Sequence, residues 1–350
     1  MADFPAHPDA VTREWLAEVL GQAPSRWRWE PIGTGQVGDS VRFHFDYEGV
    51  AGPQTLAAKF PAADPTSRVT AAMFGLYRKE VEFYRRTAPL LDVRVPDTVF
   101  ADVSEDGAEF VLLFEDLGPA RGGDQIAGCS IDDARHAVRQ AAAIHAPSWG
   151  KSEILDADWI RPPPDLGQRV ATMYPQAQAI WRERYADTLE PEYMEICERL
   201  AAMSETYFVR DPEPKCLVHG DFRLDNMLFD IKDGSEPIAI LDWQTVTTGK
   251  PMVDIGYFLG CGIGDELRRA HERELLELYC AEMTRRGVPL SVGGIWHDYV
   301  TGALHGVSTA VFSAAFVERT ERGDANFLSM ARGACALALE HGSLEKLERG

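Results

Sequence analysis

The segment LVHGDFRLDNMLF, residues 217–229, is the most informative stretch of this chain. An apolar run leads into His219, Asp221 and Asn226, and a second apolar run follows them. In an H-x-D-x-x-x-x-N loop of this spacing, the aspartate can accept the proton of an attacking hydroxyl while the asparagine binds a metal ion at the phosphates. We therefore predict that Asp221 is catalytic and that Asn226 is a ligand of Mg²⁺.

A second motif, IAILDW at residues 238–243, supports this interpretation because it is an apolar strand that ends in Asp242. It follows the first motif after the turn KDGSEP, so a hairpin is predicted to bring Asp242 back beside Asn226. The two side chains would then share Mg²⁺ ions that bridge the phosphates of ATP. Trp243 and Gln244 come next, so a switch that depends on a phenylalanine after the aspartate is not expected.

Three glycines in GTGQVGDS, residues 33–40, form a G-x-G-x-x-G pattern: Gly33, Gly35 and Gly38. Dinucleotide-binding oxidoreductases also have this pattern, but there a helix begins at the third glycine. Here VRFHFDYEG follows and alternates like a strand, which predicts a glycine-rich hairpin over the phosphates of a nucleotide. The oxidoreductase alternative predicts a helix after Gly38, and an ordinary turn would explain each single glycine.

Lys59 ends the alternating strand TLAAKF and is the candidate ligand for the α- and β-phosphates. A helix is predicted from about residue 67 to residue 87, and Glu80 lies on its apolar face. That face is made by Val69, Ala72, Met73, Leu76, Tyr77, Phe83 and Tyr84. A carboxylate on an apolar face needs a partner, because burying it alone costs several kcal/mol. We predict that the partner is Lys59.

Composition limits the class of protein. A chain of 350 residues with 45% hydrophobic and 26% charged residues can form one large domain or two lobes. The net charge of -20 argues against binding to nucleic acid or to an anionic membrane surface. The N-terminus lacks a basic start and a long apolar run, and the six cysteines form no C-x-x-C pair, so a cytoplasmic protein with reduced thiols is predicted.

The order of elements predicts two lobes with a cleft between them. Strands dominate from Trp27 to Phe60, and the runs DTVFADV and EFVLLFEDL add two more. From about Ser130 onward the pattern is helical, apart from the strand-turn-strand unit that contains Asp242. We place a nucleotide-binding lobe at residues 1–116 and a catalytic and substrate-binding lobe at residues 117–350.

Together these motifs resemble the aminoglycoside phosphotransferase and choline kinase superfamily, especially its ecdysteroid-kinase-like branch. The resemblance rests on VHGDFRLDN, ILDW, KEVEFYR, VLLFEDL and AAAIHAPSWG, and it spans roughly residues 30–320. It implies an α+β, protein-kinase-like two-lobed fold, with an antiparallel sheet and one key helix in the first lobe and a larger, mainly helical second lobe. It further implies an enzyme that uses ATP and Mg²⁺ to phosphorylate a hydroxyl of a small molecule.

The same resemblance implies that the backbone of Glu115, Asp116 and Leu117 binds adenine. The alternative function is that of a non-catalytic, nucleotide-binding sensor or scaffold with a kinase-like fold. Aromatic residues at helical spacing are more often core than pocket, but four residues of the segment 294–316 are candidates to line the acceptor pocket: Trp296, Tyr299, His305 and Phe312. His219 is interpreted as structural. Asp254 is predicted to cap the next helix and to brace the loop.

Overall fold

The computed structural model describes residues 4–33, 38–49, 51–209, 215–317 and 319–349, apart from the side chains of residues 66 and 70. Gly35 of the predicted glycine-rich hairpin therefore lies outside the described residues. The chain divides into two compact units, residues 1–121 with 230–246 and residues 122–229 with 247–350. The functional boundary placed between residues 116 and 117 stays a prediction.

The strands are β1 (Arg26–Pro31), β2 (Gly38–Asp46), β3 (Thr55–Pro61), β4 (Thr98–Val103), β5 (Phe110–Glu115), β6 (Arg121–Gly122), β7 (Cys216–Val218), β8 (Met227–Asp230), β9 (Glu236–Ile240) and β10 (Thr247–Gly249). The α-helices are Arg13–Leu20, Pro65–Met73, Leu76–Glu82, Ile131–Ser148, Ser152–Leu155, Leu166–Tyr185, Pro191–Ala202, Ser204–Phe208, Met252–Tyr257, Asp265–Arg285, Val292–Gly302, Leu304–Phe316, Glu321–His341 and Ser343–Arg349. Shorter elements are the 3-10 helices Pro8–Ala10, Ala88–Leu90 and Leu224–Asn226, the π-helical turns Phe83–Thr87 and Phe258–Gly262, and the turn Ile231–Gly234.

The first unit contains a five-stranded antiparallel sheet with the strand order β1-β2-β3-β5-β4. Side chains alternate along its strands, so that Val41, Phe43 and Phe45 of β2 point to one face. The N-terminal helix Arg13–Leu20 covers that face, and Trp15 and Leu16 share its hydrophobic core. The opposite face carries Lys59, as the alternation in TLAAKF predicted.

The prediction of one continuous helix over residues 67–87 is wrong. The segment consists of two helices, Pro65–Met73 and Leu76–Glu82, followed by the π-helical turn Phe83–Thr87. Gly75 separates the two helices and has a left-handed backbone with a φ of 65°. This break rotates the apolar face, so Val69 and Met73 are exposed whereas Tyr77, Glu80 and Val81 are buried. The prediction that Glu80 lies on the buried face is confirmed.

The second unit is mainly helical. One of its hydrophobic cores packs the helices Leu166–Tyr185, Pro191–Ala202, Leu304–Phe316 and Glu321–His341 around buried side chains such as Trp181, Val307 and Ala334. The helix Ile131–Ser148 begins with a capping box made by Ser130 and Asp133, and its last turn carries the buried His145. None of the helices in the described ranges is both long and apolar enough to cross a bilayer.

Candidate active site

An ion-paired cluster around Lys59 forms in the first unit. The ammonium nitrogen of Lys59, on β3, lies 2.9 and 2.8 Å from the two carboxylate oxygens of Glu80. It also lies 3.0 Å from Oδ1 of Asp242, which follows β9. The predicted pairing of Lys59 with Glu80 is therefore present, and Asp242 joins it. A strand, a helix and a hairpin thus bring three charged side chains to one point.

The electrostatics of this cluster follow from one ammonium that is shared by two carboxylates. Burial alone would lower the pKa of Lys59, but Asp242 and Glu80 outweigh it and raise that pKa, so the lysine stays charged. Burial, together with the charge of Asp242, raises the pKa of Glu80 against the opposing effect of Lys59. The cluster has two carboxylates for one ammonium, so Lys59 does not neutralise it completely. Such an excess of negative charge suits a site that also binds a cation.

Asp242 has an unusual backbone, with a φ of 61°. Left-handed conformations are uncommon for residues other than glycine, and they concentrate at functional sites because the surrounding structure has to hold them. The side chain of Trp243, next in the chain, stacks on Phe83 with ring centroids 3.8 Å apart and nearly parallel planes. Packing of the tryptophan thus holds the segment that presents the Asp242 carboxylate.

The glycine-rich segment is described at Gly33 and Gly38. Gly33 has a φ of 79°, a conformation that favours glycine. A Cβ on Gly38 would stand 3.0 Å from the carbonyl oxygen of Phe60 and 3.1 Å from Cε of Lys59, so a larger residue would be tightly packed here and would require a small shift of its neighbours. Strand β2 begins at Gly38. The helix that a dinucleotide-binding oxidoreductase would require there is absent, and that alternative is wrong.

The end of β5 and the segment after it take part in contacts within the first unit. The Glu115 carboxylate lies 2.6 Å from Arg94 and 2.7 Å from Lys232, so its role here is an ion pair within the first unit. The carbonyl of Leu117 accepts a hydrogen bond of 2.9 Å from the Lys232 N–H. The backbone N–H is therefore the group that Leu117 can offer to a base. Adenine binding by Glu115 and Leu117 stays a prediction.

The loop of the H-x-D-x-x-x-x-N motif lies in the second unit. Oδ2 of Asp221 accepts a hydrogen bond of 2.8 Å from Nδ2 of Asn226 and one of 3.1 Å from Nε of Arg223, and Oδ1 accepts one of 2.9 Å from the Tyr257 hydroxyl. Burial is the largest single effect and opposes ionisation, but the charges of Arg223 and His219 and the hydrogen bonds from Asn226 and Arg223 together outweigh it and lower the pKa of Asp221 below its usual value. The carboxylate is therefore ionised at neutral pH and fixed in orientation.

Asn226 presents its amide in one orientation. Its nitrogen donates to both the backbone oxygen and Oδ2 of Asp221, at 2.8 Å each, so its oxygen Oδ1 faces the other way. Amide and carboxylate oxygens are the protein ligands that Mg²⁺ accepts. Asn226 Oδ1 and the Asp242 carboxylate are each oxygen donors of this kind, and the assignment of both residues as ligands stays a prediction.

Asp254 braces the same loop from the helix Met252–Tyr257. Its carboxylate is fully buried and accepts the backbone N–H groups of His219 and Gly220, at 2.7 and 3.0 Å. It also accepts a bond of 3.1 Å from Nε2 of His145, whose Nδ1 lies 2.9 Å from the Tyr279 hydroxyl. The predicted bracing is confirmed, whereas the predicted cap is wrong because Pro251 occupies the N-cap position. His219 is fully buried.

Three residues that contact this loop were missed from the sequence. Tyr257 and Arg223 hold the Asp221 carboxylate, and Gln125 accepts from the Leu224 N–H at 3.2 Å while its own amide donates to the Cys261 carbonyl. Arg223 lies within the motif, and its charge next to Asp221 was a usable signal. Tyr257 follows Asp254 by three residues and so lies on the same helix face. Nothing in the sequence pointed to Gln125.

The four candidate acceptor-lining residues do not lie together. Nε2 of His305 is 2.8 Å from the carbonyl oxygen of Gly220, and its ring meets the Tyr257 ring edge to face. Tyr299 instead donates to Glu272, and Trp296 packs against Tyr299 and His341. Phe312 packs against Tyr174 and Phe208. His305 is thus the one of these four with a contact to the Asp221 loop among the described residues.

Solved structures with the same fold are phosphotransferases. The GDP complex of aminoglycoside 2'-phosphotransferase-IIIa matches with a TM-score of 0.56 and 16% identity over 88% of this chain and 92% of that one. Choline kinase from Cryptosporidium parvum Iowa II matches with a TM-score of 0.55 and 12% identity over 93% and 91% of the two chains. At such identities the likeness concerns the fold, which is kinase-like, as predicted.

The family model of the phosphotransferase enzyme family (APH) matches residues 66–287. The chain belongs to this family, and the predictions of the superfamily and of a phosphotransferase are confirmed. Among curated proteins, acyl-CoA dehydrogenase family member 11 of Gallus gallus is 35% identical over 80 residues, which make up 22% of this chain. The matched part spans only 10% of the length of that relative.

Proposed function

We propose that this chain is a kinase that uses ATP and Mg²⁺ to phosphorylate a hydroxyl group of a small molecule. The observation that carries the proposal is the convergence of Glu80 and Asp242 on the ammonium of Lys59, 2.8 to 3.0 Å away. A lysine held in this way is suited to the α- and β-phosphates, and a carboxylate beside it is suited to the metal ion. The nucleotide complexes of family members with the same fold support the use of a nucleotide.

In the proposed reaction the acceptor hydroxyl attacks the γ-phosphorus, the bond from that phosphorus to the β-γ bridging oxygen breaks, and ADP leaves. Asp221 orients the hydroxyl and takes its proton. Because the pKa of Asp221 is held low, it is a weak base, and its contribution is mainly orientation. Bound Mg²⁺ would neutralise charge on the phosphates, held by Asn226 and Asp242. Gly33, Gly35 and Gly38 cover the triphosphate in this scheme.

A nucleotide screen followed by an acceptor screen tests the proposal. Thermal unfolding with Mg-ATP, Mg-GTP and NAD is measured first, and ADP release is then followed with a panel of hydroxylated acceptors. The panel contains amino alcohols and aminoglycosides, after the proteins of similar fold, and hydroxyacyl thioesters, after the acyl-CoA named in the curated relatives. Stabilisation by Mg-ATP and transfer to one acceptor are expected. Binding without transfer to any acceptor would favour the sensor or scaffold alternative.

Replacing Asp242 tests the metal assignment. Asp242→Ala is expected to lower the affinity for Mg-ATP to the value that wild type shows in EDTA, because the carboxylate ligand is gone. Turnover should fall below detection in the variant, as it should in wild type without metal. Isothermal titration with and without Mg²⁺ measures the first effect. Asp46→Ala, which removes an exposed carboxylate at the end of β2, is the control and should bind as wild type. Mg²⁺-dependent affinity that survives in Asp242→Ala would contradict the assignment.

Replacing Tyr257 tests whether its hydroxyl positions Asp221. The Tyr257→Phe variant keeps the buried ring but loses the bond of 2.9 Å to Oδ1. A hydrogen bond to a charged group contributes about 1.5–3 kcal/mol, so kcat is expected to fall at least about tenfold with little change in the KM for ATP. Tyr185→Phe is the control, since that buried hydroxyl donates to Asp324 instead. An unchanged kcat in Tyr257→Phe would show that the bond has no part in turnover.

A further inference from the structure

An arginine lies on the same face of the sheet as Lys59. Arg42 of β2 is the cross-strand partner of Ala57, and Ser40 is the partner of Lys59. Residues two apart in a strand point to the same face and lie about 7 Å from each other. Arg42 and Ala57 thus stand about 7 Å along their strands from the phosphate-binding lysine of the proposed function.

Arg42 is held rigidly against the segment that follows β5. Its Nε and Nη2 donate to the two oxygens of Asp116, at 2.7 and 3.0 Å. Oδ1 of Asp116 also accepts the N–H of Gly118, at 3.0 Å. A Cβ on Gly118 would stand 2.6 Å from Nη2 of Arg42, so the guanidinium rests directly on the backbone of this segment. Such a bidentate pair fixes the plane of the guanidinium.

The charge around Arg42 disfavours an anion as its ligand. Asp116 neutralises the guanidinium, and Glu30 adds a second carboxylate 3.8 Å from Nη1. A phosphate bound here would be repelled by two carboxylates and attracted by only one cation. The side chain nevertheless keeps 28% of its surface exposed, and its strand neighbour Ala57 is small. A planar, weakly hydrated guanidinium that is partly exposed is suited to stacking on an aromatic ring.

We propose that the guanidinium plane of Arg42 is the surface on which the base of the bound nucleotide stacks, with Asp116 as the residue that positions it. The proposal rests on the proposed function, because Lys59 has to hold the phosphates for the base to reach Arg42. Stacking favours the larger purine ring over a pyrimidine. Arg42 therefore contributes to the preference for purine over pyrimidine nucleotides.

Binding of three probes to three variants tests the proposal. Dissociation constants for Mg-ATP, Mg-UTP and magnesium tripolyphosphate, which has no base, are measured on wild type, Arg42→Ala and Arg42→Lys. In Arg42→Ala the affinity for Mg-ATP is expected to fall about tenfold, because the base loses its stacking partner. The affinity for tripolyphosphate, which has no base, should stay within about twofold of wild type. Arg42→Lys keeps the positive charge but lacks the planar guanidinium, so its affinity for Mg-ATP should also fall. The preference for ATP over UTP should become smaller in both variants, and the part that remains is attributed to the backbone groups predicted to bind adenine.

Matched variants separate stacking from the ion pair. Asp116→Asn removes the charge that Arg42 pairs with but leaves the guanidinium, so a smaller loss of ATP affinity than in Arg42→Ala is expected. Arg28→Ala removes an exposed arginine of β1 and should bind as wild type. Mg-ATP affinity unchanged in Arg42→Ala, or an equal loss for tripolyphosphate, would overturn the proposal. A folded wild-type protein that binds no nucleotide would instead overturn the proposed function.

Discussion

Replacing Asp221 with alanine is expected to lower kcat at least about a thousandfold while the affinity for Mg-ATP stays within about threefold of wild type. General-base catalysis and orientation by one side chain contribute about 10²–10⁴-fold. The carboxylate of Asp221 is held by donors from Asn226, Arg223 and Tyr257, all of which remain in the variant. Release of ADP with an identified acceptor measures kcat, and isothermal titration measures nucleotide affinity.

Asp221→Asn is the matched variant for this prediction. The carboxamide has the size and nearly the shape of the carboxylate and can still accept a hydrogen bond from the acceptor hydroxyl, but it cannot take a proton. Turnover of Asp221→Asn is therefore expected to lie between that of wild type and that of Asp221→Ala. A large loss in Asp221→Ala together with normal turnover in Asp221→Asn would show that Asp221 only fills space. Phosphotransfer that persists in both variants would refute the catalytic assignment.

The second large effect is expected from Asp254→Ala, which should lower both stability and turnover. The fully buried carboxylate accepts from His219, Gly220 and His145. Alanine leaves these three donors buried without an acceptor, and breaking such a buried charged network costs about 3–5 kcal/mol. Thermal unfolding monitored by circular dichroism should show a midpoint lowered by several degrees, and the loop that carries Asp221 should lose its alignment.

Two variants control for this result. Asp254→Asn keeps one acceptor oxygen, so its unfolding midpoint and its turnover should lie between those of wild type and those of Asp254→Ala. Asp298→Ala removes a surface partner of Lys250, 2.9 Å away, and should change the midpoint little because exposed ion pairs contribute little. If Asp254→Ala unfolds at the wild-type temperature and turns over normally, Asp254 does not brace the loop.

The acidity of Asp254 adds a pH dependence of known sign. Burial is the largest single effect and opposes its ionisation, but the hydrogen bonds and charges of His145 and His219 together outweigh it and hold the pKa of Asp254 below the ordinary aspartate value. A carboxyl whose pKa is lower in the folded state stabilises the fold above its unfolded pKa and loses that contribution as the pH falls through the folded value. The stability that Asp254 provides is thus present at neutral pH and is lost only in acid.

Periodicity identified the correct partner for Lys59 but not the helix that presents it. The apolar spacing correctly predicted that Glu80 lies among buried side chains, because the 3.6-residue period of a helix relates residues within two or three turns and does not depend on the rest of the chain. The same spacing wrongly predicted that Val69 and Met73 belong to the buried face. Both residues precede Gly75, whose left-handed backbone ends the first helix and changes the direction of the apolar face. Whether a glycine inside a helical pattern breaks it depends on the packing around it.

Local sequence patterns were enough to predict three units: strand β2 after Gly38, the loop with Asp221 and Asn226, and the strand that ends before Asp242. These follow from nearest-neighbour chemistry and side-chain alternation, which need no knowledge of distant residues. No local pattern predicts that Tyr257 and Gln125 contact the Asp221 loop or that Arg42 pairs with Asp116. Those contacts join residues 36, 99 and 74 positions apart, and a packed fold has to bring them together.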